Sequence, residues 1–340
     1  MYTFGQGSGK VYNGAFDNQD DGTTVASAIA FGLGFLVALA TTFLIIPWII
    51  PRLKARGVVG KDLNKPGAPE VAEMGGIPVV IGFFAGVSVM LALNGLTRED
   101  LLNASLTAIL GAAFVGTMDD LFDLRQRQKA ILPFVLALPL GATLDSEIYI
   151  PFVGQFDFGP WMILIAAIAV TCAANAANML EGFNGLGTGL GIIMTSTLIM
   201  LSLIHDRLDA MYVLMPLLAA LIAFIWFNRY PARIFPGDTM TLFMGATLAA
   251  AGLLSDLQLQ TIFIFIPMIV EFGLKMRGHF EAENYASRSA NGYLEYHGKI
   301  ESLTHVFMKR FKLTERRLVE LIWALEATMC SIVIMVDLLV

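Results

Sequence analysis

Three short segments carry the side chains best suited to chemistry. The first reads Met118-Asp119-Asp120-Leu121-Phe122-Asp123. The second reads Asn175-Ala176-Ala177-Asn178-Met179-Leu180-Glu181-Gly182-Phe183-Asn184-Gly185, and the third Phe235-Pro236-Gly237-Asp238-Thr239. Each offers carboxylate or amide oxygens where a long apolar run meets a polar stretch. Hard cations such as Mg²⁺ take oxygen ligands of this kind, with substrate phosphates completing the shell; Mn²⁺ is the other candidate. Charged groups gathered at one side of a bilayer are a functional signal by default. These residues therefore favour an intramembrane enzyme that handles a phosphorylated substrate.

Each segment has a plainer reading beside the chemical one. Asp119 and Asp120 end an apolar run, and Asp123 follows about one helical turn later. Adjacent carboxylates repel, so a site holding both ionised needs a cation or basic partners nearby. Arg125, Arg127 and Lys129 follow at once, and a solvated helix end with local ion pairs is the alternative. Asn175 and Asn178 lie three apart, on one helical face. The glycines that follow permit close backbone approach, so backbone groups can read a base or a phosphate. A glycine-rich turn accounts for the glycines but not for two amides on one face. Asp238 at a helix start is ordinarily an N-cap, though the position also suits a cation between protein and phosphate. Phe235 beside it offers a ring for stacking or for packing.

The remaining polar candidates are weaker. His279, His297 and His305 lie in the last polar stretch, where a single histidine is more often a surface residue, and His205 belongs to the opposite face. Glu271 and Lys275 are spaced i, i+4 in the orientation that favours pairing, although Lys275 could also snorkel. Cys172 and Cys330 fall inside apolar runs and read as small packing residues. No disulfide framework or cysteine metal site is suggested.

The elements that must position these side chains are membrane spans. Of 340 residues, 56% are hydrophobic and 15% charged, which excludes a soluble domain of ordinary composition. Crossing the hydrocarbon core takes roughly 20 apolar residues. Such runs recur near residues 25–50, 76–95, 101–118, 131–145, 160–177, 187–204, 211–228, 239–255, 259–276 and 318–340. The fourth is short and interrupted by Pro133, Pro139 and Gly141. The expected fold is all-α: a polytopic membrane protein with about ten transmembrane helices in a single domain, residues 25–340. Residues 1–24 are polar, Gly-rich and acidic, unlike a cleavable leader, whose start is basic; they read as an external tail. Alternation in Glu147-Ile148-Tyr149-Ile150-Pro151-Phe152 and Gln155-Phe156-Asp157-Phe158 predicts a small external β-hairpin. The polar residues 277–317 have room for a short amphipathic helix on the membrane surface.

Charge placement sets the orientation. Grouping loops alternately puts residues 51–75, 118–130, 229–238 and 275–317 on one face, with nineteen Lys and Arg between them. The other face has Lys10, Arg98 and Arg207. By the positive-inside rule the basic face is cytoplasmic. The expected cytoplasmic loops are 51–75, 118–130, 178–186, 229–238 and 277–317, and the even count of spans leaves both termini external. All three chemical segments then face the cytoplasm, in a plasma or ER-type membrane.

Together the segments resemble the polyprenyl-phosphate N-acetylhexosamine-1-phosphate transferases, glycosyltransferase family 4, over about residues 25–340. The likeness is greatest to the eukaryotic and archaeal branch that acts on UDP-GlcNAc and dolichyl phosphate. It is carried by Lys61-Asp62-Leu63-Asn64-Lys65, by Asp119-Asp120-Leu121-Phe122-Asp123-Leu124-Arg125-Gln126-Arg127-Gln128-Lys129, by Asn175-Ala176-Ala177-Asn178 with Gly182-Phe183-Asn184-Gly185-Leu186, and by Gly237-Asp238-Thr239. The resemblance implies that Asn178 and Asp238 hold Mg²⁺ on the donor diphosphate and that Lys129 binds its phosphates. It implies that Gly182, Asn184 and Phe235 hold uridine, and that Asp119 and Asp120 sit beside the metal and the lipid phosphate. Lys65 would stand near the entrance. Asn175, Arg277, His279 and His305 join the expected substrate contacts. Bacterial members have Asp where this chain has Glu181, and a histidine cluster of which only His305 remains. The Arg- and His-rich sugar loop of eukaryotic members has a faint echo in Arg277-Gly278-His279.

The implied partners are a UDP-N-acetylhexosamine, polyprenyl or dolichyl phosphate and the lipid bilayer; the resemblance favours a homodimer, and no nucleic acid is expected. Two other classes compete. A membrane prenyltransferase would carry two Asp-rich Mg²⁺ motifs on separate helices, whereas the second here is replaced by Asn-x-x-Asn and Gly-Asp-Thr. A transporter would place its charged site near the midplane between repeats, and no repeat is evident here.

Overall fold

The computed structural model describes residues 21–94, 99–150, 154–280, 283–285, 287–288 and 292–339. Most of the tail expected at residues 1–24 lies outside them. All ten apolar runs are helical. They form α1 (Asp21–Ala55), α2 (Gly76–Asn94), α3 (Glu99–Phe122), α4 (Gln126–Thr143), α5 (Met162–Met179), α6 (Leu186–Ile204), α7 (Met211–Asn228), α8 (Gly237–Leu254), the pair α9 (Gln258–Ile264) and α10 (Ile266–Arg277), and, after the short α11 (Leu303–Arg310), α12 (Glu315–Asp337).

Among the described residues, eight of these helices are long and apolar enough to cross a membrane. The ninth run is broken: α9 and α10 meet at an angle of 59°. Pro267, near the start of α10, lacks the N–H that would continue the ladder across Phe265. The fourth run, α4, falls short in apolar character because Arg127 and Lys129 occupy its first turn and Pro133 and Pro139 interrupt it. The chain is an integral membrane protein, with large side chains such as Leu44 and Trp161 facing outward.

α8 lies at the centre, packed against α3 and α5 and touching α2, α6 and α7. Close approach depends on small residues, since lipid offers no hydrophobic drive between helices. A Cβ on Gly116 of α3 would lie 2.4 Å from the Asp238 carbonyl oxygen. The end of α3 thus meets the start of α8, and the end of α5 reaches the same place, with Asn178 beside Asp238.

Among the described residues, three two-stranded antiparallel sheets complete the fold. β1 (Val59–Lys61) pairs with β2 (Glu70–Ala72), Gly60 opposite Val71. A single parallel bridge from Ala72 to Ile234 ties β2 to the loop before α8. β3 (Glu147–Ile150) and β4 (Gly154–Asp157) form the expected hairpin, with Ile150 opposite Gly154; residues 151–153 lie outside the described residues. β5 (Ser287–Arg288) and β6 (Leu294–Glu295) form one more in the last polar stretch. α11 follows there, with Leu303, Thr304, His305 and Met308 buried.

Candidate active site

Two adjacent aspartates on one helix end face different partners. Asp120 accepts from the N–H groups of Asp238 (2.6 Å) and Thr239 (3.0 Å) and from the Thr239 hydroxyl (2.6 Å). Those N–H groups are orphan donors at the start of α8, so a carboxylate from α3 caps α8. Asp119, 5% exposed, accepts from the Leu124 N–H (2.8 Å) and pairs with Lys129 from the first turn of α4. Lys129 also donates to Asp238 at 2.9 Å. One ammonium thus bridges α3 and α8, leaving the cluster with more negative than positive charge.

Asp238 opens onto a cavity of about 240 Å³. Its walls come from Lys61 at the end of β1 and the loop after it (Asp62, Leu63, Asn64), from Glu73 before α2, from Asn178 at the end of α5 and Glu181, Gly182, Phe183 and Asn184 after it, from Asn228, from Phe235, Pro236, Gly237, Asp238 and Thr241, and from Tyr285. The Asn178 side-chain nitrogen is buried beside the Asp238 carboxylate without a hydrogen bond of good geometry. Because amide O and N are interchangeable by a flip, the same position can present an oxygen beside Asp238. Among the described residues no three His, Cys, Asp or Glu side chains form a metal cluster. One carboxylate and one amide beside it fit a Mg²⁺ ion whose other ligands are phosphate oxygens and water.

The turn between α5 and α6 is locked from two sides. Asn64 donates to the Gly182 carbonyl (3.2 Å), while Asn284 donates to the carbonyls of Met179 (2.9 Å) and Glu181 (2.6 Å). Gly182 sits at φ +146, where a Cβ would come within 3.2 Å of the Asn284 Cβ. Asn184 donates to Asp62 (3.0 Å), and its N–H donates to Glu315 (3.1 Å). Burial pushes the Glu181 carboxyl up to about 7, against the N–H groups of Gly182 and Gly187, which pull it down. Burial also raises Glu73, and the charges of Asp120, Asp238 and Asp123 add to it. Tyr285 is raised in the same way, by burial first and then by Glu283, Glu181, Glu73 and Asp62. The acid charges crowded around Glu73 and Tyr285 would welcome a cation.

Residues 102–256 match the model of glycosyl transferase family 4. A Saccharolobus solfataricus protein, provisionally named a UDP-N-acetylglucosamine–dolichyl-phosphate N-acetylglucosaminephosphotransferase, is 37% identical over 91% of this chain and 97% of its own length. The chain belongs to glycosyl transferase family 4. A Sulfolobus acidocaldarius protein with the same provisional name is 34% identical over 89% of this chain and 94% of its own length. The Saccharomyces cerevisiae UDP-N-acetylglucosamine–dolichyl-phosphate N-acetylglucosaminephosphotransferase is 31% identical over 75% of this chain and 68% of its own length.

Not every expected family 4 contact reaches the cavity. Asp238, Asn178, Gly182, Asn184 and Phe235 line it, and Lys129, Asp119 and Asp120 stand directly behind Asp238. The Asn175 amide instead donates to the Thr171 carbonyl of its own helix (2.9 Å). Lys65 pairs with Asp62, lies 3.6 Å from Glu315 and sits over the Tyr230 ring, behind the cavity wall. Arg277 and His279 lie at the exposed end of α10, outside the lining. His305 is fully buried: Nδ1 accepts from the Glu301 N–H (3.3 Å), Nε2 donates to the Glu283 carbonyl (2.9 Å), and the ring stacks on Tyr296. Burial holds it below the usual imidazole range, so it is a neutral strut for the loop.

Sequence reasoning missed Glu73, Asn64 and Tyr285. Glu73 stands just before a span, as Asp238 does, and that placement was a usable signal. Asn64 lay inside the quoted motif without a role. Nothing in the sequence marked Tyr285, which depends on how the last polar stretch folds back.

Proposed function

We propose that this chain transfers N-acetylhexosamine-1-phosphate, specifically N-acetylglucosamine-1-phosphate, from its UDP-sugar to polyprenyl or dolichyl phosphate, releasing UMP. This is the first membrane step of a lipid-linked glycan pathway, serving protein N-glycosylation or a cell-surface glycan. The observation that carries it is the convergence of Asp238 and Asn178 at one cavity, with Lys129 bonded to Asp238 behind them, in a chain alike over most of its length to the yeast enzyme so named.

An oxygen of the lipid phosphate attacks the phosphorus that carries the sugar. The diphosphate P–O bond breaks, and its electron pair leaves on UMP. The attacking phosphate is already an anion near neutral pH, so the main task is to align two anions and reduce their repulsion. Lys129 supplies positive charge beside Asp119 and Asp238, where the phosphates meet. Asp238 and Asn178 would hold Mg²⁺, whose chemistry when bound is Lewis-acid screening of the developing charge. Phe235 stacks on the uracil, and Gly182 and Asn184 contact the nucleoside. Asp120 acts by fixing the start of α8, and Glu73 by adding negative potential at the metal position. The site faces the cytoplasm, both termini lie outside, and the working unit is a homodimer.

The test is a donor and acceptor panel on the purified protein. UMP should appear with UDP-N-acetylglucosamine and a long polyprenyl or dolichyl phosphate, require Mg²⁺ and be blocked by the donor mimic tunicamycin. If no UDP-sugar yields UMP with any polyprenyl phosphate while the protein stays monodisperse, the transferase reading falls. Activity with UDP-N-acetylgalactosamine alone would change only the donor.

A further inference from the structure

The first turn of α12 reaches back to the turn between α5 and α6. An acid at a helix start ordinarily serves the N–H groups of its own helix. Glu315, 5% exposed, opens α12, yet its carboxylate accepts from the Asn184 N–H (3.1 Å). The cations that follow it do not claim it, since Arg316 and Arg317 turn outward to Glu320 (2.8 and 3.5 Å). Its other oxygen lies 3.6 Å from the Lys65 ammonium, which is paired with Asp62. Asp62 in turn accepts from the Asn184 side-chain amide (3.0 Å). Two carboxylates with one ammonium between them therefore hold a single asparagine, by its backbone N–H and by its side chain.

α12 grips the same place a second time. The Trp323 indole donates to the Leu186 carbonyl (3.0 Å), and a Cβ on Gly189 would lie 2.0 Å from the Trp323 ring. That close approach sets how near α12 stands to the start of α6, and hence where the Glu315 carboxylate ends. The Asp62 bond also orients the Asn184 amide. Its nitrogen must face the carboxylate, because two acceptor oxygens would repel, so the amide oxygen is turned the other way. Asn184 lines the donor cavity, whereas Glu315 and Lys65 stand behind it. Lys129, Asp119 and Asp238 form a separate set of bonds.

We propose that Glu315 is a positioning residue for the nucleoside end of the donor: by holding the Asn184 N–H, it sets how Asn184 meets the UDP-sugar. This deepens the transferase reading and rests on it. The effect falls on donor affinity, because a nucleoside contact acts alike in the ground and transition states.

The full-length protein, purified in detergent, is compared with two variants that separate the two properties of the carboxylate. Glu315→Asp keeps the charge near Lys65 but falls one methylene short of the Asn184 N–H. Glu315→Gln gives up the charge and keeps an oxygen that can accept. The donor KM should rise about tenfold in Glu315→Asp, the worth of a hydrogen bond to a charged group, with kcat within about twofold. Glu315→Gln should stay within about threefold of the wild-type KM. Amide exchange over residues 183–186, read by mass spectrometry without substrate, should quicken in Glu315→Asp and not in Glu315→Gln. A KM raised in Glu315→Gln as much as in Glu315→Asp, or more, overturns the proposal by making the charge beside Lys65 the cause. Equal KM values in all three proteins overturn it too, and faster exchange alone would then mark a structural contact without influence on the donor. A fall in kcat at constant KM overturns the assignment to the nucleoside end. If the wild type releases no UMP from any UDP-sugar, the transferase reading falls by itself, and the exchange rates still decide whether Glu315 holds Asn184.

Discussion

The Thr239 hydroxyl donates to the Asp120 carboxylate at 2.6 Å, and the N–H beside it bonds to the same oxygen at 3.0 Å. A side chain of α3 therefore fixes the first turn of α8, on which Asp238 is carried. The neighbouring Asp119 is turned to Lys129 instead. Two adjacent carboxylates of identical chemistry thus serve different ends.

Asp120→Ala should lower both activity and stability. It removes the cap of a buried helix start, a loss of about 1–2 kcal/mol, and frees Asp238 to shift. Thermal unfolding in detergent and UMP release check it. Unchanged melting with full activity would show that the α8 start is held by packing alone.

Asp238→Ala should abolish transfer and leave a folded, detergent-extractable protein, since Lys129 keeps Asp119 as its partner. Asn178→Ala should behave alike. More than half of wild-type turnover at saturating Mg²⁺ in either variant would remove that residue from the metal site.

Phe235→Ala should raise the donor KM more than it lowers kcat, because stacking on uracil acts alike in ground and transition states. Steady-state kinetics with varied UDP-sugar distinguish the two. A kcat defect at constant KM contradicts the stacking assignment.

Glu181 gives a pH prediction. Its carboxyl rises from 4.5 to about 7 on folding, chiefly through burial. Between those values the folded chain keeps a proton that the unfolded chain has lost. The contribution to stability is therefore fully present below about 4.5, declines as pH rises, and is gone above about 7. Glu181→Gln should flatten that decline. Denaturation midpoints across this range measure it, and parallel slopes for variant and wild type would refute the burial of a protonated acid there.

Much of the fold was legible because its signals are local. An apolar run of sufficient length becomes a helix whatever its neighbours, and Pro133 and Pro139 mark where the fourth weakens; the break at Pro267 went unread, since Pro216 sits inside α7 without one. Carboxylates and amides at run ends are equally visible, so Asp119, Asp120, Asn178 and Asp238 could be named before any coordinates. Helical spacing, however, gives a face and not the neighbour it meets. Asn175 and Asn178 are three apart, yet one amide bonds to its own helix and the other reaches the cavity.

What only the tertiary structure decided is which polar groups arrive together. The cavity is closed by hydrogen bonds between residues more than a hundred positions apart, Asn64 to Gly182 and Asn284 to Met179. Those bonds bring in Glu73 and Tyr285 and leave Arg277 and His279 outside. The physical reason is burial: a backbone carbonyl withdrawn from water must find a donor. Which side chain supplies it depends on the packing of α3, α5 and α8, and no local stretch of sequence contains that information.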